Sequence, residues 1–241
     1  GQGAAMTMTQ VLASTRAFNF AIADLSGGTA NSTGNVWDID YIEILGLGPT
    51  ATPTDTIPGP TYTPTNTPTN TVALTPGGQY LDTFEDNDPG VNEWGGLWTQ
   101  WAASGSTVSF NVATGGNPEG TYYQHMTADI LGAGWPSVAV TADLQASGAA
   151  YDLNAATGIR LYMKGTLNTT TNTGFLIQLV STDITDSSHW RYTVPSVPGA
   201  WTQVTIPWTS FSAPSWGQGA AMTMTQVLAS TRAFNFAIAD L

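Results

Sequence analysis

Apolar and polar side chains alternate residue by residue along several short stretches of this chain, the period of a strand with one buried face. In Ala17-Phe18-Asn19-Phe20-Ala21-Ile22 the alternation sets Phe18, Phe20 and Ile22 apart from their neighbours, and Val36 to Leu45 alternates again with Asp38, Asp40 and Glu43 as an acidic flank. A Gly, Ser and Asn loop is expected between them, from Ser26 to Asn35. A second series opens with a strand at Tyr80 to Asp86 and a turn at Asn87-Asp88-Pro89-Gly90. It continues through residues 107–112, 122–127, 137–142, 158–164, 174–181, 190–194 and 201–208. Many short strands with Gly-rich breaks predict an all-β sandwich.

Between Pro49 and Pro76 the alternation stops: 11 of these 28 residues are Thr and seven are Pro, with one Asp and no cation. Such a stretch holds too little apolar surface to form a core, and repeated Thr-Pro favours extended polyproline conformation, so residues 48–77 read as a linker. Thr-Pro stretches of this kind are often O-glycosylated outside the cell.

Gly1 to Leu25 and Gly217 to Leu241 are identical at all 25 positions, an offset of 216 residues. That period is too long for a solenoid unit and suits one β domain plus a linker, so the sequence reads as a window on a tandem array. On this reading residues 1–47 are the C-terminal part of one sandwich and residues 78–241 the N-terminal and central part of the next. Two identical strands cannot fill one slot, so residues 1–47 are expected to pack in a different sandwich from residues 78–241. That packing would come from a preceding bead or from strand donation between subunits, giving a head-to-tail filament of neighbouring copies.

Four stretches together carry a family resemblance: Leu81-Asp82-Thr83-Phe84-Glu85-Asp86, Gly158-Ile159-Arg160-Leu161-Tyr162-Met163-Lys164-Gly165, Trp201-Thr202-Gln203-Val204-Thr205-Ile206-Pro207-Trp208 and Trp37-Asp38-Ile39-Asp40-Tyr41-Ile42-Glu43-Ile44. They resemble family-eleven carbohydrate-binding modules and the related complex I intermediate-associated domain. The resemblance implies a galactose-binding-like jelly roll with a concave sugar-binding sheet. It also implies structural calcium near the first and last strands, carried over at best to Asp82, Glu85, Asp86, Asp38 and Asp40. Crowded carboxylates suit a hard cation with six to eight oxygen ligands. The run Asp86-Asn87-Asp88-Pro89-Gly90 starts like an EF-hand loop but lacks that motif's third acid and its Glu.

Composition narrows the chemistry. Five cations against a formal net charge of −12 leave no clustered Lys and Arg for nucleic acid or an anionic membrane, and no apolar run approaches the length of a bilayer span. Zero Cys excludes disulfides and thiol catalysis, and His125 and His189 stand outside any hydrolase or metalloprotease signature, so no catalysis is expected. Strand parity puts Ile159, Leu161 and Met163 on one face and Arg160, Tyr162 and Lys164 on the other. If Gln178, His189, Arg191 and Gln203 share that outward face, donors and flat rings gather where a neutral saccharide could be held. The alternatives are a solvated face or a contact with a neighbouring domain. Asn31-Ser32-Thr33 and Asn168-Thr169-Thr170 are N-glycosylation acceptors expected in polar loops.

The leading expectation is a non-enzymatic, extracellular or cell-surface structural protein of glycosylated tandem repeats. The alternative is a carbohydrate-binding module of a multimodular polysaccharide-degrading enzyme.

Overall fold

The structure, a computed structural model, describes residues 29–47, 80–133, 136–168 and 173–240. The strand expected at Phe18 to Ile22, the linker and the first copy of the duplicated segment lie outside these. The described residues form a jelly-roll β-sandwich. One sheet has six strands in the order β10-β7-β1-β5-β4, with β2 pairing on β1, and the other has five in the order β3-β6-β11-β8-β9. In chain order the strands are β1 (Thr29–Leu45), β2 (Tyr80–Asp82), β3 (Trp98–Ala102), β4 (Thr107–Thr114), β5 (Tyr122–Ala133) and β6 (Ser137–Asp143). There follow β7 (Gly158–Thr166), β8 (Thr173–Ser181), β9 (Trp190–Val194), β10 (Thr202–Pro207) and β11 (Thr231–Asp240).

Most strands fall where alternation placed them. Trp98–Ala102 was not foreseen, and the expected strand at Tyr80 to Asp86 ends at Asp82, where the Asp82 carboxylate accepts the Phe84 N–H at 2.7 Å and turns the chain. Two short helices, α1 (Gly217–Ala220) and α2 (Met224–Ala229), also escaped the alternation. The second opens on a capping box: the Thr223 hydroxyl accepts the Gln226 N–H, and the Gln226 side chain accepts the Thr223 N–H.

The principal correction concerns β1. Its pairing contradicts the expectation that residues 1–47 belong to another sandwich, because β1 pairs with both β5 and β7 inside the sandwich formed by residues 80–240. Its side chains explain the placement. Trp37, Ile39, Ile42 and Ile44 are fully buried, and the Trp37 ring meets Phe175 of the opposite sheet edge-on at 5.9 Å. Burial of each such side chain stabilises by roughly 1.5–3 kcal/mol. Strand β7 is fitted to it: a Cβ on Gly165 would lie 2.4 Å from the Val36 carbonyl.

Parity changes partway along β1. Trp37 and Ile39 are odd-numbered core residues and Ile42 and Ile44 even-numbered ones, and the register with β7 shifts between Asp40 and Glu43. Tyr41 absorbs the extra residue in the left-handed region, at φ 49°. Consequently Asp38, Asp40 and Glu43 all point away from the core despite their uneven spacing. The expected loop at Ser26 to Asn35 is instead strand from Thr29 onward, with a second irregularity between Ser32 and Asn35.

Candidate functional site

The outer face of the five-stranded sheet is set by register. Thr99 of β3, Thr141 of β6, Asn235 of β11, Gln178 of β8 and Arg191 of β9 stand opposite one another in a single row across all five strands. Each is at least partly exposed. The Thr141 hydroxyl donates to Asn235 Oδ1 at 2.8 Å, and Asn235 Nδ2 donates to Gln178 Oε1 at 3.2 Å. The adjacent row runs Trp101, Ala139, Ala237, Leu176, Thr193. In it Ala139, Leu176 and Ala237 make a small apolar cluster apart from the main core, and Trp101 is 56% exposed at the sheet edge. His189 lines a cavity of about 400 Å³ with Val180, Ser187 and Arg232. Burial first, then the Arg232 charge, lowers the His189 pKa to about 4, so the imidazole is neutral at pH 7.

The six-stranded sheet presents a different outer face. Arg160 and Tyr162 of β7 and Gln203 of β10 share a smaller cavity of about 100 Å³ with Tyr41, Glu43, Tyr80 and Glu119. Arg160 pairs with the nearly buried Glu43, its Nε donating to Oε2 at 2.7 Å. Lys164 lies 3.3 Å from Asp38 and over the rings of Tyr123 and Trp201, while Asp38 also holds His125 Nδ1 at 2.5 Å. These cations are committed to acids and rings within the fold.

The six residues expected on one sugar-binding face are therefore divided. Gln178, His189 and Arg191 lie with the five-stranded sheet, and Arg160, Tyr162 and Gln203 with the six-stranded one. Alternation within a strand separates core from surface but carries no information on which of two sheets the strand joins. Thr99, Trp101, Thr141 and Asn235 were missed. Asn235 sits between two core phenylalanines in an alternating stretch, whereas in Trp98-Thr99-Gln100-Trp101 the apolar residues are three apart and do not alternate.

The five acids expected around calcium do not converge. Asp82 accepts the Trp98 indole N–H at 2.6 Å, Glu85 accepts the Thr121 and Tyr122 N–H groups, and Asp86 accepts the Asp88 N–H. Asp38 is held by Lys164 and His125, and Asp40 faces Asn117. Among the described residues no three His, Cys, Asp or Glu side chains gather as a metal site. The close neighbour of Asp82 is Glu93, which was not foreseen. Burial, then the Glu93 charge, pushes the Asp82 carboxyl well above its usual range.

Of the two glycosylation acceptors, Asn31 lies in β1 opposite Leu131, not in a loop. Asn168 is exposed just after β7, and its Nδ2 donates to the Thr33 and Gly34 carbonyls at 3.0 and 3.1 Å.

Residues 63–239, more than half of the chain, match the family model described as carbohydrate binding domain (family 11). The chain belongs to this family. The module's matched span begins after β1. No curated protein matches the module. Among solved structures, the solution structure of CtCBM11 is similar to it, with 16% identity and a TM-score of 0.37 over 59% of this chain and 84% of that one. None of the module's described helices is long and apolar enough to cross a membrane.

Proposed function

We propose that this module binds polysaccharide without turning it over, along the outer face of the five-stranded sheet. The observation that carries the reading is the register-matched row Thr99, Thr141, Asn235, Gln178, Arg191 beside the exposed Trp101. A sugar ring has an apolar C–H face and a hydroxyl edge. The indole supplies a flat apolar surface for the first, and the row supplies paired donors and acceptors for the second. Five strands place these groups about 4.8 Å apart, so the row spans several sugar units of one extended glycan chain. Neutral His189 adds a donor or acceptor at one end. An extracellular or surface setting follows from such a ligand.

The test is affinity electrophoresis through gels containing soluble neutral polysaccharides. Retardation of the module is expected with at least one of them, and Trp101→Ala should weaken it about tenfold, the loss of one stacking contact. Undiminished retardation of the variant would displace the site from this face.

The exact 25-residue duplication supports a second reading, in which such modules are strung in a repetitive extracellular array. Strand donation is not needed for it, since β1 closes the sandwich within one chain, and an array would consist of closed beads. Intact mass and glycan profiling of the native material would test it, with a mass of one module only counting against it.

A further inference from the structure

The cavity on the six-stranded sheet joins an aromatic corner to a polar wall. Tyr41 and Tyr80 meet at 78° with centroids 5.5 Å apart, making an aromatic corner. Opposite it runs a hydrogen-bonded line: Gln203 Nε2 donates to the Tyr162 hydroxyl at 2.9 Å, which donates to Glu119 Oε1 at 3.3 Å. Arg160 completes the wall. An aromatic residue in the left-handed region is uncommon, and such strain concentrates at binding sites. Here it is Tyr41, at φ 49°, that turns one wall of the corner outward.

The lining selects among ligands. Arg160 and Glu43 form an ion pair and contribute little net field, while Glu119 disfavours an anion. The polar line offers nothing to a purely apolar molecule. A neutral polyol with one C–H face fits both conditions. A volume of about 100 Å³ admits the edge of a single ring and not a run of several.

We propose that this cleft is a second saccharide site, taking a single neutral sugar residue, so that the module holds two glycan chains on opposite faces and cross-links them. The site is independent of the row on the five-stranded sheet. Two sites linked by a rigid body convert binding into bridging, which a one-sided module cannot do.

The experiment titrates neutral hexaoses of glucose, mannose and xylose into Trp101→Ala by calorimetry, then into Trp101→Ala combined with Tyr41→Gly. The glycine removes the aromatic wall and relieves the left-handed conformation, so the melting temperature should hold or rise. In Trp101→Ala, whose row is weakened about tenfold, the binding that remains for at least one hexaose should fall again, about tenfold or more, on adding Tyr41→Gly, the loss of one stacking contact. Arg160→Ala should act in the same direction, but it also removes a salt bridge of the nearly buried Glu43, so the fold-preserving glycine variant decides. Loss of all binding in Trp101→Ala would overturn the second site and leave the first standing. Residual binding indifferent to Tyr41→Gly would overturn it as well.

Discussion

Asp40 shows how a single bulge creates a titrating group. Its carboxyl points out of the core yet is fully covered, with Oδ1 unpartnered and Asn117 at 3.4 Å from Oδ2. Burial, the largest cause, and the nearby Glu85 charge raise its pKa from 3.8 to about 7. The folded state therefore keeps a proton that the unfolded chain has already released, and this contribution to stability is present at pH 4 and lost as pH rises through 7. Asp40→Asn should remove that slope, so the variant's melting temperature relative to the native module should climb from pH 4 to pH 8. A constant difference across the range would mean that Asp40 titrates normally. At this scale the sequence was only partly readable. The acids of Val36 to Leu45 were visible, but their partners Lys164, His125, Arg160 and Asn117 are far away along the chain, and no local pattern announces them.

For the strands, alternation sufficed wherever one face is apolar and the other polar, as in β7. It was weakest where a bulge changes parity or where a short strand is held by its neighbours. β3 is such a case: only Trp98 is buried, and pairing with β6 does the rest. The element that matters most is β1. It contributes Trp37, Ile39, Ile42 and Ile44 to the core from the position between β5 and β7. Residues 78–241 without it would keep an open central gap with two unpaired strand edges. That fragment should fail to give a cooperative melt alone and should regain one on addition of a peptide of residues 26–47, measured by circular dichroism. An unassisted cooperative melt would show that β1 is dispensable.

At the scale of the whole molecule, the fold leaves room for a short connection between β11 and β1. Ala239 near the end of β11 stands opposite Ser137, and Thr29 at the start of β1 stands opposite Ala133. Ala133 and Ser137 are themselves joined by residues 134–136, so β11 stops and β1 starts at the same end of the sandwich. The duplicated segment supplies the missing bridge, since Asp24, the counterpart of Asp240, is followed by Leu25-Ser26-Gly27-Gly28 and then Thr29. Four residues there would do what three do between β5 and β6. The fold is thus indifferent to which side of the Thr-Pro stretch its central strand comes from. Joining Leu241 directly to Ser26, and dispensing with residues 1–25 and 48–77, should yield a circular permutant with an unchanged circular dichroism spectrum. It should melt at or above the native temperature, because the long closing loop is replaced by a short one. A permutant that fails to fold would mean that the order of the strands along the chain, and not only their places in the sheets, is specified.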